Sequence, residues 1–296
     1  MNIKDLFGYS EDKNTSCICV SGEDSEKFLQ GQFSNDVTLL GNTNFQYSSY
    51  STNQGKVISI FRIFKYQDSY ILLVNKDIAK YFIDRLSMYV LKSKVEIKEI
   101  NSCQVFGVCG LLADDLISKY NIKKNEIFEN NSVLILNNTN KYMSAVTLVG
   151  INNVAKDITD ILSMSESSSY NINELMDNLS LIPRITMETK EKYIPQVLNL
   201  ESLDGINYKK GCYTGQEIVA RTHYLGKVKK KILLLSELEL SAKIGDKLHN
   251  KDGEIIGDIF GTIQKIENDL ICLSVIKIEA MEEDIFFGDK KIKIFQ

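Results

Sequence analysis

The spacing of apolar positions divides this chain into a long mixed part and a short part made of strands alone. Cys17–Ser21 alternates and predicts a strand, with Cys17 and Cys19 on one face. They read as a redox pair or as two small buried residues, and strand burial is the simpler account. Ser25 can cap a short helix over SEKFLQGQ that ends near Gly31. Two long strand-like runs, Phe45–Ser51 and Val57–Tyr66, flank the turn Asn53-Gln54-Gly55 and predict a hairpin. A third strand, Tyr70–Val74, leads into a helix from about Asp77 to Leu91, where Ile78, Tyr81, Phe82, Arg85, Leu86 and Tyr89 recur at helical spacing. Lys94–Ile100 and Cys103–Val108 predict strands again.

The middle third repeats this style. Leu111–Tyr120, Val154–Leu162 and Ile172–Leu181 predict helices, the last stopped before Pro183. Val133–Leu136 and Lys141–Val149 predict strands, and the polar stretch Ser163–Tyr170 a loop. After Gly226 only short strands follow: Val228–Leu235, Gly245–Leu248, Glu254–Phe260, Thr262–Ile266, Leu270–Ile278 and Ile292–Phe295. Asp252-Gly253 marks a hairpin turn among them. The pattern predicts an α+β domain over residues 1–225 and a small barrel or sandwich over 226–296.

Composition narrows the function. With 296 residues, 44% apolar and 25% charged, the chain suits a globular protein of about two domains. A net charge of −4 excludes polyanion binding by bulk charge, so any phosphate or carboxylate must be met by a local patch. The N-terminus carries no apolar segment behind a basic start, and no run approaches 18 apolar residues. A cytoplasmic protein without a membrane span is expected. The six cysteines form no C-x-x-C pair, and with His223 and His249 as the only histidines no metal site is expected. Reduced, mostly buried thiols follow.

One segment concentrates chemistry. Lys209–Glu217 reads KKGCYTGQE, and Thr214-Gly215-Gln216-Glu217 matches a capping box that places Thr214 at a helix N-cap. Cys212 then lies beside a helix start, flanked by Lys209 and Lys210, a setting that favours a thiolate. Gly211 and Gly215 permit close backbone approach or an unusual turn. The plainer account of Cys212 is a buried residue in a structural turn. From Lys209 to Lys231 seven basic residues face Glu217 alone, a local charge of +6. With Tyr213 and Tyr224 interleaved, the stripe Lys227–Lys231 is either a solvated face or a weak RNA contact.

The stretch Tyr193–Lys227 resembles the YgfZ family of folate-binding proteins, whose motif K-G-C-Y-T-G-Q-E is matched in full by Lys210, Gly211, Cys212, Tyr213, Thr214, Gly215, Gln216 and Glu217. Phe28–Val37, Asn53–Arg62 and Tyr89–Ile97 also look like family segments, so the likeness covers nearly the whole chain. It implies similarity to the glycine cleavage aminomethyltransferases: a two-lobed folate-binding α+β domain, then a C-terminal β-barrel, with tetrahydrofolate or a related reduced folate at the centre. It further implies support of iron–sulfur enzymes or their assembly factors, and through them of tRNA modification. Cys212 becomes the functional thiol. Glu201 lies near the family's pteridine-binding glutamate, where a carboxylate accepts from two adjacent donors. Arg62, Arg221 and Tyr224 are implied lining residues.

Two departures matter. Val74-Asn75 is followed by KDIAKYFIDRL, which sets Tyr81 or Phe82 near the position of a catalytic aspartate, with Asp77 and Asp84 a turn away on either side. An enzyme of the aminomethyltransferase type is therefore not favoured. Arg184–Lys192 lacks a glycine that relatives often carry after the Arg-Ile pair, and nothing in the sequence explains that change. The competing functions are an aminomethyltransferase or other one-carbon transferase, and a direct RNA-binding module. Gly55-Lys56 lacks the rest of a P-loop.

Overall fold

An alternating strand buries its apolar face only when another layer covers it, and the chain satisfies this three times over. The computed structural model describes residues 6–151, 155–266 and 269–295. The elements run β1 (Gly8–Glu11), β2 (Thr15–Ser21), α1 (Ser25–Gln30), β3 (Phe45–Ser51), β4 (Val57–Tyr66), β5 (Ser69–Asn75), α2 (Lys76–Ser87) and β6 (Glu96–Glu99). Next come β7 (Gln104–Cys109), α3 (Leu111–Tyr120), β8 (Ile127–Asn130), β9 (Val133–Asn137), β10 (Ala145–Gly150), α4 (Ala155–Leu162), α5 (Ile172–Leu179) and α6 (Gln216–Leu225). The rest is β11 (Lys230–Ser236), β12 (Lys247–His249), β13 (Ile255–Ile259), β14 (Gln264–Ile266), β15 (Asp269–Lys277), β16 (Ile285–Phe287) and β17 (Lys290–Ile294).

Two five-stranded antiparallel sheets form two lobes, ordered β3-β4-β5-β2-β6 and β1-β7-β10-β9-β8. Four strands of each follow one plan. In chain order the first pairs with the fourth, the fourth with the third and the third with the second. A helix follows the first strand (α1, α3) and the fourth (α2, α4) of each set. The lobes are thus topological repeats. The fifth strand differs: β6 closes the first lobe, whereas β1, from the start of the chain, closes the second. The remaining strands close a barrel, β11-β17-β16-β12-β13-β15 and back to β11, with β14 added on β15. The expected α+β fold with two lobes and a C-terminal β-barrel is what the chain adopts.

Strand β4 shows how the layers share a core. Its first eight residues are all buried. Ile58, Phe61 and Ile63 pack under α2 with Phe33 and Phe82, where the Phe33 and Phe61 rings meet at 4.7 Å. Val57, Ile60 and Phe64 join a cluster that continues through the second lobe to Leu234 and Leu273 of the barrel. A strand covered on both faces has no reason to alternate, hence the continuous apolar run. Close packing recurs where α5 crosses β7. A Cβ on Gly107 would come within 2.6 Å of the Asn173 amide nitrogen, so only glycine admits the helix there.

Several expected elements are displaced for local reasons. The helix after β5 ends at Ser87 rather than Leu91, where the backbone turns to positive φ. The strand expected from Lys141 starts at Ala145, because the Asn140 side chain accepts from the Tyr142 and Met143 amides and holds a turn. Val154, the expected start of a helix, lies outside the described residues. The expectation of reduced thiols throughout fails at one pair: Cys17 is disulfide-bonded to Cys103, with Cα atoms 6.2 Å apart. The Ile100 amide donates to the Cys17 carbonyl at 2.8 Å and brings Cys103 alongside, which a sequence separation of 86 conceals.

Three buried charges, Asp12, Arg62 and Asp177, and the partly buried Arg184 tie these layers together. Arg62 on β4 pairs with Asp177 on α5 and donates to the Tyr47 hydroxyl at 3.2 Å. Arg184 donates to the other Asp177 oxygen and to Asp12, each at 2.8 Å. Asn171 and Thr15 complete the shell of Asp12. Burial by itself raises the Asp12 pKa, but the charge of Arg184 and these hydrogen bonds outweigh it and hold the carboxyl well below its usual range. Asp12→Ala leaves Arg184 short of a partner in a buried site and is expected to cost about 3–5 kcal/mol in urea unfolding at neutral pH. Because the folded pKa is depressed, the Asp12 contribution is fully present above the ordinary value of 3.8 and is lost as pH falls below it. Unfolding titrated through that window should show Asp12→Ala converging on the parent protein in acid.

Candidate functional site

The segment from Asp204 to Gly215 is clamped onto the first lobe almost residue by residue. The Asp204 carbonyl accepts from Asn35 at 2.7 Å, and the Gly205 carbonyl from Ser34 at 2.7 Å. Asn207 donates through its backbone to the Ser34 carbonyl, and its side chain accepts from the Lys209 and Lys210 amides. Lys210 is buried, and its ammonium donates to the Phe33 and Asn35 carbonyls at 2.7 and 2.8 Å. Burial pushes its pKa down to about 8 despite the charge of Asp36. Tyr213 is buried with its ring 5.1 Å from that ammonium. Gly215 has φ +84°, and a Cβ there would meet the Thr52 carbonyl at 2.5 Å. The β3–β4 turn, whose Gly55 has φ +71°, lies directly against it.

The capping box does not form. Gly215 is the N-cap of α6, without a side-chain cap. The Thr214 hydroxyl donates instead to Gln32, its amide to the Gly31 carbonyl, and Glu217 is exposed. The docking of Thr214 onto the end of α1 takes it from the role that the local pattern predicts. Nor do two ammonium groups flank the thiol, because Lys210 points into the protein and only Lys209 stays at the surface. Within this pinned loop Gly211 and Cys212 are left exposed. Among the described cysteines outside the disulfide, Cys212 is exposed, while Cys19, Cys109 and Cys272 are buried. Burial pushes the Cys109 thiol up to about 11 and Cys272 to about 12.

A channel broken into three cavities surrounds the charge cluster; the first two are lined by the lobes and the segment after α5, and the third reaches Gly261 and Thr262 of the barrel. Its first chamber, about 300 Å³, is lined by Tyr47, Lys124, Asn138, Lys141, Ile182 and Asn199 among others. A constriction of about 30 Å³ follows, sharing Tyr47 and Ile182 with it and adding Arg62, Asp177 and Arg184. A further chamber of about 370 Å³ shares Asn75 and Arg184 and adds Asp77, Glu174 and Thr262 of the barrel. The buried charge cluster is therefore the waist of the channel.

The remaining candidates scatter. Arg62 lines the waist, but Asp177 and Tyr47 occupy its guanidinium. Glu201, expected to read a pteridine edge, is exposed and lines none of the three chambers. Its carboxylate accepts from the Tyr208 hydroxyl at 2.6 Å and pairs with His223 Nδ1 at 2.8 Å. Positive φ at Asn199 turns the chain so that Asn199 faces the first chamber, Leu200 the core and Glu201 solvent. Arg221 and Tyr224, expected in the same site, are exposed on α6, with Tyr224 against the rings of Tyr208 and His223. Lys227, Lys229 and Lys231 are exposed, and Lys230 lies over the Tyr193 ring. Asp12, Asp177 and Arg184 had no signal in the sequence beyond an Arg-Ile pair after Pro183. Among the described residues no acidic, cysteine and histidine cluster could hold a metal, and no helix is long and apolar enough to cross a membrane.

This architecture defines the class. The chain superposes on the glycine cleavage system aminomethyltransferase T from Bartonella henselae with a TM-score of 0.74, over 99% of this chain and 86% of that one, at 13% identity. The shared feature is the fold of two lobes and a barrel. No family model matches the chain. Curated relatives do: the tRNA-modifying protein YgfZ of Vibrio vulnificus is 31% identical over 225 residues, 75% of this chain and 68% of its own length. That of Buchnera aphidicola subsp. Baizongia pistaciae is 31% identical over 81% of this chain and 76% of its own. That of Vibrio atlanticus is 29% identical over 91% and 84%. The chain belongs to the YgfZ family.

The loop geometry sets three expectations. Lys210→Met strands the Phe33 and Asn35 carbonyls and should lower stability by about 2–4 kcal/mol. Cys212→Ser should stay within about 0.5 kcal/mol of the parent. Iodoacetamide near neutral pH should modify Cys212 ahead of Cys19, Cys109 and Cys272. Peptide mapping that finds Cys212 among the slow sites contradicts its free presentation.

Proposed function

We propose that the chain binds tetrahydrofolate or a related reduced folate in the channel around the charge cluster. We further propose that it supports iron–sulfur enzymes, and through them tRNA modification, with Cys212 as its functional thiol. The observation that carries this reading is the division of labour in the motif loop. Lys210, Tyr213, Thr214 and Gly215 hold the loop on the first lobe, and Cys212 faces solvent free of the channel. A thiol so placed is suited to a partner protein rather than to a ligand inside the molecule. The two larger chambers fall in the size range of small-molecule sites, and their mostly polar and charged linings suit the polar ring edge and carboxylates of a folate. Family membership and the aminomethyltransferase fold support the same ligand. A reduced folate carries one-carbon units when bound. The residues of this chain hold it and screen it from water. The stripe Lys227–Lys231 is assigned at most a weak RNA contact that falls steeply with salt.

Calorimetry with a reduced folate should show binding that survives both Cys212→Ser and Glu201→Ala. In a cell lacking the native protein, Cys212→Ser should fail to restore iron–sulfur enzyme activity. Full complementation removes the thiol from the function.

The one-carbon transferase reading keeps one specific support: Asp77 lines the chamber beyond the waist. Its carboxylate, however, accepts from the Met187 amide at 2.7 Å. Asp84 is exposed and paired with Lys80, Tyr81 donates to Glu191, and Phe82 is buried. Purified protein is expected to release no one-carbon unit from an aminomethyl-lipoyl carrier. Turnover in that assay, abolished by Asp77→Ala, selects the transferase instead.

A further inference from the structure

Resting on the proposal that Cys212 acts on a partner protein, we infer that the partner docks in an open groove beside the motif loop, through a segment whose one large apolar side chain is flanked by carboxylates. The groove holds about 860 Å³ and runs between the end of α1 and the connection from α2 to β6, with Phe28, Gly31, Gln32, Leu91 and Lys92 among its walls. It adjoins the motif directly. The Thr214 amide donates to the Gly31 carbonyl at 3.2 Å, and its hydroxyl donates to Gln32 Oε1 at 3.1 Å. Cys212 is two residues away, so about 7 Å of chain at most separates the exposed thiol from the residue seated on the groove's rim.

The partner's chemistry follows from the walls. Leu91 is 87% exposed and has φ +48°. A leucine so placed gains nothing from burial, and left-handed backbone disfavours its bulky side chain. Neither the core nor the local turn explains it, whereas an apolar side chain laid over it does. Met88, in the same connection, is exposed too. Lys27 and Lys92 line the groove, are exposed, and take part in no ion pair among the described residues. Asp24 is the one carboxylate in the lining, and it accepts from the Lys94 amide at 2.8 Å. Glu23 and Glu26 nearby are paired with Lys94 and Lys65. Lys209, also exposed, adds a further ammonium three residues before Cys212. Carboxylates here are occupied and ammonium groups are free, although the whole chain has a net charge of −4. That complementarity selects an acidic protein segment, anchored by apolar contact at Leu91.

The test uses the full chain and short peptides of sequence Asp-Leu-Glu-Gly-Gly-Cys, with the cysteine capped as a mixed disulfide with 2-thiopyridine. The Cys212 thiolate attacks the peptide sulfur, a new S–S bond forms as the old one breaks, and pyridine-2-thione leaves with the thiol proton. Its absorbance gives the rate, and Cys212→Ser should abolish it. At low salt the acidic peptide should exchange about tenfold faster than peptides with Asn and Gln for the acids or Gly for the leucine. Leu91→Asp and the Lys27→Gln/Lys92→Gln double variant should each erase that advantage. Both should leave iodoacetamide labelling of Cys212 and calorimetric folate binding unchanged. Aspartate adopts positive φ more readily than leucine, so Leu91→Asp should keep the fold. Equal rates for all peptides, or variants that keep the advantage, overturn the groove. So does a wild-type dimer that Leu91→Asp converts to monomer, since a second copy then fills it. If the groove fails while Cys212→Ser still does not complement, the thiol reading stands. Full complementation by Cys212→Ser removes that reading instead.

Discussion

The molecule is organised around Arg184, whose guanidinium is held between two carboxylates that the chain supplies from far apart. Asp12 comes from the turn between the first two strands and Asp177 from α5, and Asp177 in turn meets Arg62 of β4. A buried charge that loses its partner costs several kcal/mol, so the cluster tolerates few arrangements of these segments. One consequence is the exchange of fifth strands. With Asp12 fixed at the waist, the residues before it run along β7 and complete the second lobe. The other consequence is the waist itself, which divides the channel into chambers of different character. Asparagines and lysines line one, and acidic groups and barrel residues line the other.

The motif loop depends on the same economy of buried partners. Its lysine is spent on two backbone carbonyls and its threonine on the end of α1. One glycine admits the β3–β4 turn. Such contacts rigidify the loop without covering its exposed Gly211-Cys212 pair. The residues that make the motif recognisable are mostly those that hold it, and the one that offers chemistry is the one left without a structural task. This is why the motif is informative about position while saying little about the reaction.

Elements set by local pattern were legible before folding. β3, β4 and α3 fall where apolar spacing and turn residues predict them, and the change to short strands after Gly226 corresponds to the closed barrel. The failures share a cause. β1, β8 and β16 are strands of three or four residues, too short for any period to register, and are defined by the neighbours they pair with. The capping box failed because Thr214 found better partners in α1. The disulfide was hidden because its cysteines are brought together by β2 and the turn after β6, not by spacing.

By itself the sequence determined the α+β class, the barrel, the family and the one motif with an unusual cysteine, because each is written in local periodicity or contiguous residues. Only the tertiary structure decided which polar residues face inward. Glu201 and Arg221 look like ligands in the sequence and are exposed in the fold, whereas Asp12, Asp177 and Asn138 look ordinary and line or brace the channel. The reason is physical. Whether a polar side chain is exposed, paired or left waiting for a partner depends on groups that folding brings together from distant parts of the chain, and the hydrogen bonds that settle its role do not exist until it does.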